Sequence, residues 1–360
     1  MAGLAPVLVV NAGSSTLKLA VVGEESVARE LAAPGPVVDD DALAAGLDAL
    51  PAFAAVGHRI VHGGARFRAP VRVDAGVLAA LRELIPLAPL HQPKALAALD
   101  AVLRLRPALP SVACFDTAFH ATLSDAAATY ALPREWRERF GLRRYGFHGL
   151  SHAYVARRAA ELLGRDDLRL VSCHLGAGAS LAAIRAGRSV DTTMGFTPVE
   201  GLVMATRSGS VDPGLLAWLV TEGGVAPDEL SDALEHRSGL MALAGTGDMR
   251  AVLAGDSQDA RLALDVYVHR LRREIAAMAA ALGGVDALAF TGGVGERAPA
   301  IRAAAAAGLG FLGVELDAAA NERAVADARI GAPGAAVDVL VVAAREDLEV
   351  ARQVRATLTS

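Results

Sequence analysis

The sequence predicts a two-domain α/β protein built on a duplicated β-β-β-α-type unit. Three observations lead there. The chain has 360 residues, more than one hydrophobic core ordinarily serves. Apolar runs of strand length alternate with segments of helical periodicity along it. Two stretches also echo each other. Laying NAGSSTLKL (11–19) over GAGASLAAI (176–184) puts Gly13 on Gly178 and Ser15 on Ser180. Each turn follows an apolar strand and leads into another, so a cleft between two halves would receive two facing turns.

The elements follow in order. Residues 7–10 read as a buried strand and 16–22 as the next, joined by a tight Gly13-Ser14-Ser15 turn. AAVGHRIVHGG (54–64) is a strand ending in glycines. Residues 77–85 and 93–104 have helical spacing, and PSVACFDTAF (110–119) is a strand. Residues 151–163 read as a helix capped by Ser151 and stopped by Gly164. DLRLVSCHLGAGASLAAI (167–184) is strand, glycine turn, strand. Residues 212–222 and 257–282 are helical. ALAFTGGVGERAP (287–299) is a strand, a glycine turn and a helix. VDVLVVAARED (337–347) is a last strand, and a final helix starts near Leu348. The natural break between halves falls near residues 147–151.

Composition narrows the function classes. The chain is 53% apolar with a formal net charge of −5. With no basic excess, nucleic acid or an anionic membrane is a poor partner. Lys18 and Lys94 are the only lysines, which singles out Lys18 beside the first turn. Cys114 and Cys173 sit inside strand-like runs and read as buried thiols of a reduced compartment. The start lacks a charged n-region and no uncharged apolar run would span a bilayer, so the expected location is the cytoplasm.

Chemistry-bearing side chains gather at predicted strand ends: His58, Arg59 and His62; His91; Asp116 and His120; Arg143, Arg144, His148 and His152; Arg207 and Asp212; Arg345, Glu346 and Asp347. An aspartate ending an apolar strand, as Asp116 does, is a turn or cap residue, or else a metal ligand or base. Arg59 is either an exposed arginine on an edge strand or part of a site. His91 and His148 are structural histidines or site residues. Loops at one edge of a sheet build sites, which favours the functional readings. Zinc spacing and a G-x-S-x-G elbow are absent. GGVGER comes too late to be a first dinucleotide turn.

Eight stretches are specific enough to carry a family resemblance: VLVVNAGSSTLKL, GHRIVHGG, CFDTAFHATL, RRYGFHGLSH, HLGAGAS, DTTMGFTPVEGLVMATRSGSVDPG, GDMR and FTGGVGER. In this order they resemble the acetate/propionate/butyrate kinase family of the actin-like ATPase superfamily, from about residue 7 to the end. The resemblance implies a duplicated actin-like ATPase (ribonuclease H-like) fold with a nucleotide cleft between two domains. These would be residues 1–147, completed by a helix at 347–360, and residues 148–346. It implies Mg²⁺-dependent (Mn²⁺ as an alternative), reversible, in-line transfer of the ATP γ-phosphoryl to acetate, giving acetyl phosphate and ADP. Propionate or butyrate kinase activity, or a non-catalytic nucleotide switch, are the alternatives. A homodimer is implied by resemblance only.

Residue roles carry over by motif. Arg59 and Arg207 look like the cationic clamp on carboxylate and migrating phosphoryl, His148 like the transition-state donor, and His91 like a supporting contact. Asn11, Asp116 and Glu346 look like the metal-positioning groups. Val61, Leu90, Phe147 and Pro198 would form the methyl slot. Asn11, Ser14, Ser15, Lys18, His174, Gly176 and Gly178 resemble the phosphate side. Asp248, Met249, Arg250, Gly292, Gly293 and Gly295 resemble the adenosine side. The chain departs from the family pattern at Ala177, where HLGNGAS is usual, at Arg297, where Asn is common, and around Glu346.

Overall fold

The computed structural model describes residues 5–13, 16–23, 26–32, 39–325 and 327–359. The chain divides into two compact units. The first takes in Met1–Ala121, Phe147–Tyr154 and Arg345–Ser360, and the second Thr122–Gly146 and Val155–Ala344. This partition differs from a single break at 147/148: residues 122–146 group with the second unit, and 148–154 with the first.

The first unit is organised by a six-stranded sheet. Its strands are β1 (Val7–Ala12), β2 (Thr16–Val22), β3 (Ser26–Ala32), β4 (Ala55–Ile60), β5 (Val71–Arg72) and β6 (Ser111–Phe115), in the order β3-β2-β1-β4-β6-β5. β1, β4 and β6 are parallel; β2, β3 and β5 pair antiparallel. The second unit has β7 (Arg169–Leu175), β8 (Ala179–Arg185), β9 (Arg188–Thr192), β10 (Ala287–Thr291), β11 (Ala328–Arg329) and β12 (Asp338–Val341), in the order β9-β8-β7-β10-β12-β11. Strand for strand, order and polarity repeat those of the first sheet.

The duplication is therefore present, and the hairpins β1–β2 and β7–β8 are its corresponding elements. The turns close differently: the Gly13 N–H donates to the Thr16 carbonyl (2.8 Å), and that of Gly176 to Gly178 (3.0 Å). Ser14 and Ser15, expected at the phosphate side, lie outside the described residues.

A continuous apolar run suits β1 because both sheet faces are covered. Val7 and Val9 pack with Val350, Ala351 and Val354 of the C-terminal helix Glu346–Thr359. Leu8 and Val10 pack on the other face with Leu43, Leu47 and Val102. The C-terminal helix lies so close to β4 that a Cβ on Gly57 would stand 2.5 Å from Val350 Cγ1 and 2.7 Å from Val354 Cγ2. That helix starts at Glu346, two residues before its expected start near Leu348.

The helix expected from Ser151 begins at Gly149 and runs to Leu163, so Ser151 is buried inside it rather than capping it. Gly149 sets the start. Its N–H donates to the Asp116 carbonyl (2.9 Å), and a Cβ there would lie 2.1 Å from that oxygen. Cys114 and Cys173 are buried free thiols, and burial pushes both upward in pKa. Among the described residues, no helix is long and apolar enough to cross a membrane.

Two histidines in and after β4 are fully enclosed. His58 Nε2 lies 3.4 Å from Ser111 Oγ, and His62 Nδ1 accepts from the Gly64 N–H at 2.8 Å. Burial lowers His58 to about 3 and His62 to about 4. The unfolded chain takes these protons near pH 6.5. Below that pH it binds more protons than the folded chain, so stability present above pH 6.5 is lost as pH falls toward 4. Urea unfolding should lose up to about 1.4 kcal/mol per pH unit per histidine across this window. His58→Gln should flatten the slope; an unchanged slope would remove His58 from the account.

Candidate active site

The carboxyl ends of β1, β4 and β6 lie side by side in the first sheet, and the C-terminal helix packs on the face that carries Val9, Gly57 and Cys114. Strand alternation puts Asn11, Arg59 and Asp116 on that same face at that end. β4 runs between β1 and β6, so the exposed-edge alternative for Arg59 is gone.

Arg59 is the centre of the cluster. Its Nε donates to Asp116 Oδ1 (3.1 Å) and its Nη2 to Asp116 Oδ2 (2.8 Å). Nη1 donates to Asn11 Oδ1 (3.2 Å) and stands 3.4 Å from Glu346 Oε2. The Asp116 side chain is 2% exposed and that of Arg59 20%, so the pair sits largely out of water. Burial disfavours the arginine charge, but Asp116 and then Glu346 outweigh it and hold its pKa above the ordinary value. Burial pushes the Asp116 carboxyl up, against the pull of Arg59. Asn11, Asp116 and Glu346 offer hard oxygens only. That set fits a small divalent cation of the Mg²⁺ type, which keeps several waters and takes one or two carboxylates plus phosphate oxygens. Lys18 is exposed and pairs directly across from Asn11 on β2.

His148 follows β6 closely in space. Its successor Gly149 is bonded to the Asp116 carbonyl, and His148 itself has φ = 55°. A bulky residue occupies the left-handed region only at a cost, which functional sites characteristically carry. His91 precedes the helix Gln92–Leu105 and makes no side-chain capping bond. The buried Gln92 side chain exchanges two bonds with the His62 backbone, 3.3 and 3.1 Å, which ties the His91 loop to the end of β4. Of the residues expected to form a methyl slot, Val61 is half-buried and Leu90 is 45% exposed. Phe147 is buried edge-on against His62, ring centroids 5.5 Å apart.

The second unit holds the rest. Arg207 is half-buried, its Nη1 donates to the Pro198 carbonyl (3.4 Å), and burial lowers its pKa. Among the described residues no carboxylate lies within 4.0 Å of this guanidinium, in contrast to Arg59. Glu235 acts on it at longer range and offsets part of the effect of burial.

A cavity of about 380 Å³ opens beside the second glycine turn, lined by Gly176, Asp248, Met249, Arg250 and Gly293 among others. It gathers five of the residues expected to hold nucleotide. Gly178, Gly292, Gly295 and His174 are outside its lining. Gly292 has φ = 78°, and a Cβ there would stand 2.7 Å from the Leu175 carbonyl; Gly295 accepts a bond from the buried Arg302 (2.9 Å). Both glycines shape the turn from behind. His174 is half-buried on β7 opposite Ser180. Asp248 caps the helix Met249–Ala254 and pairs with Arg250, whose side chain is 91% exposed. So exposed a pair holds little energy, and Arg250 is free to turn toward an anion.

Ala177 and Arg297 also line this cavity. The Ala177 carbonyl accepts from the Ala205 N–H (3.1 Å), which holds the turn without an asparagine side chain. Sequence reasoning missed Ala205, Leu240 and Tyr267 as cavity walls. Leu240 and Tyr267 are helix-borne and lie in no motif, and Ala205, though inside DTTMGFTPVEGLVMATRSGSVDPG, has no polar group to single it out.

Breaking the Arg59–Asp116 pair strands a buried carboxylate. Arg59→Ala should cost about 3–5 kcal/mol at pH 7 in urea unfolding. The deficit should shrink on acidification, because protonated Asp116 needs no counter-charge. A deficit independent of pH would refute the assignment.

The acetokinase family model matches residues 41–352. An acetate kinase from Synechococcus sp. (strain JA-2-3B'a(2-13)) is 51% identical over 303 residues, 82% of this chain and 74% of the relative. The crystal structure of Porphyromonas gingivalis acetate kinase superposes with a TM-score of 0.89 at 36% identity, over 98% of this chain and 100% of that one. A propionate kinase from Francisella tularensis subsp. tularensis SCHU S4 superposes equally well, TM-score 0.89 at 33% identity, over 98% and 99%. The two repeated sheets are those of the duplicated actin-like ATPase fold. Enzymes of this family transfer a phosphoryl group between ATP and a carboxyl group with a divalent metal. This chain belongs to the acetokinase family.

Proposed function

We propose that this protein is an acetate kinase that moves the γ-phosphoryl of ATP reversibly to the carboxylate of acetate, giving acetyl phosphate and ADP. The observation that carries the reading is Arg59, held by Asp116 with Asn11 and Glu346 at its edge, beside the strained His148. Acetate is ionised and nucleophilic at neutral pH, so no base is required. The work is alignment and charge neutralisation around a flat, metaphosphate-like group.

Arg59 is locked as a planar fork on a partly exposed side chain, which suits two oxygens of an anion. Arg207, with no carboxylate in contact among the described residues, supplies charge to the migrating phosphoryl. His148 donates to an equatorial oxygen, with His91 in support. Asn11, Asp116 and Glu346 would hold Mg²⁺, partly through water, and the cation would neutralise the phosphate charge. The 176–178 turn offers backbone N–H groups to the phosphates. Asp248, Met249, Arg250 and Gly293 receive the adenosine. Val61, Leu90 and Phe147 bound the methyl group. One methylene in such a slot discriminates by about 1–3 kcal/mol, so propionate is a slower substrate rather than an excluded one.

The location we propose is the cytoplasm, and the assembly a homodimer. The helix Pro213–Thr221 supports the dimer: it has no buried residue, and Leu215 and Trp218 are 47% and 55% exposed. An apolar helix left this open suits a partner face. Trp218→Glu should shift the protein toward monomer in sedimentation; an unchanged mass would clear this helix of that role.

Purified protein with ATP, Mg²⁺, acetate and hydroxylamine should accumulate acetyl hydroxamate, faster than the propionate product and far faster than the butyrate one. No hydroxamate from any of the three acids would overturn the reading. Arg207→Ala should lower kcat by roughly 10³-fold or more while staying folded, and near-normal turnover would take Arg207 out of the mechanism.

A further inference from the structure

We infer that Glu200 is a positioning residue for Arg207. Its carboxylate is clamped between Tyr130 and Arg144 and seated on Gly195, and it fixes the loop that carries the arginine. The inference rests on the reading of Arg207 given above.

The geometry is close-fitting. Tyr130 donates its hydroxyl to Glu200 Oε2 (2.6 Å), and the same hydroxyl oxygen accepts the Phe196 N–H (2.8 Å). Arg144 donates Nη2 to Glu200 Oε1 (2.6 Å) and Nη1 to the Thr193 and Met194 carbonyls (3.1 and 3.0 Å). One carboxylate thus ties both ends of the 193–200 segment to Tyr130 and Arg144. Gly195 completes the seat, since a Cβ there would lie 1.8 Å from Glu200 Oε2 and 2.1 Å from the Tyr130 hydroxyl. Only a residue without a side chain lets the carboxylate lie flat on the backbone.

From Glu200 the order passes directly to Arg207. Gly201 and Ser210 exchange two bonds, Ser210 N–H to the Gly201 carbonyl (3.0 Å) and Gly201 N–H to Ser210 Oγ (3.1 Å), which close the loop on itself. Met204 N–H donates to the Arg207 carbonyl (3.1 Å). Arg207 Nη1 rests on the carbonyl of Pro198, two residues before Glu200. The arginine is therefore held by the segment that the Glu200 clamp orders. Burial and the hydrogen bond to Glu200 push the Tyr130 phenol upward in pKa, so it remains a donor through the working pH range. A misplacement of about 1 Å in such a group costs on the order of 10²-fold in rate.

The test is a double-mutant cycle on the full chain, read by hydroxamate formation. Glu200→Gln keeps the shape but cannot accept from both Tyr130 and Arg144. It should lower kcat at least tenfold, leave KM for ATP within twofold, and leave the thermal midpoint within a few degrees. In an Arg207→Ala background the same change should lower kcat less than twofold, because the group it positions is gone. Wild-type kcat in Glu200→Gln overturns the inference, and so does a tenfold loss that persists in the Arg207→Ala background. If Glu200→Gln does not fold, Tyr130→Phe takes its place, with at least a threefold loss expected when Arg207 is present and none when it is absent. Equal losses in both backgrounds, or no loss in either, overturn the inference. Full activity of Arg207→Ala alone is a different failure: it removes the parent reading and this one with it.

Discussion

A guanidinium fixed at the carboxyl end of the central strands is the constraint on which the rest of the first unit depends. Arg59 is too enclosed to be tolerated without a partner and too exposed to be only a core group. Asp116 resolves that conflict with two charge-assisted bonds. To do so, β6 must lie beside β4 in a register that ends both strands together, and β1 must bring Asn11 to the same face. The C-terminal helix must start at Glu346. Gly57 and Gly149 are the backbone adjustments that permit this packing, one under the helix and one against the Asp116 carbonyl. The site is thus set by sheet topology and strand alternation, and the loops add to it.

The second unit repeats the topology and uses it for different chemistry. Where the first sheet ends in a paired arginine, the second ends in glycine turns beside a cavity. Gly292 brings the two turns of that edge close enough that backbone dominates the surface. Arg207 lies on a loop braced by bonds to its own backbone and by the Glu200 clamp. Arg59 has carboxylates in contact, whereas Arg207 has Glu235 only at longer range. That asymmetry suits a reaction in which one cation orients an anion and the other meets charge as it moves.

Much of this was legible in the sequence for physical reasons. Continuous apolar runs such as VLVV and VSCHL can only be strands covered on both faces. The helices expected over 212–222 and 257–282 are present, with Asp212 and Ser257 as their caps. The short edge strands β5 and β11 were not legible, because two residues carry no periodicity. Nor was β9, whose polar sequence RSVDT pairs only because β8 offers it an edge. The Ser151 cap failed because the Gly149–Asp116 contact, distant in sequence, starts the helix earlier. The repeat was visible, and the strand order and polarity of the two sheets bear it out. The pairing of Arg59 with Asp116, 57 residues away, and the Glu200 clamp are tertiary facts that no local pattern announces.

The central proposal is that Arg59 and Arg207 each bind a planar phosphoryl group in flight more strongly than either substrate. Inhibition by MgADP, acetate and aluminium fluoride together measures this most directly, since the fluoride complex mimics that planar group. The account predicts that the three together inhibit far more strongly than any pair of them. It also predicts that Arg59→Ala and Arg207→Ala each weaken that inhibition in proportion to their loss of kcat. Inhibition that survives both substitutions while kcat collapses would contradict it.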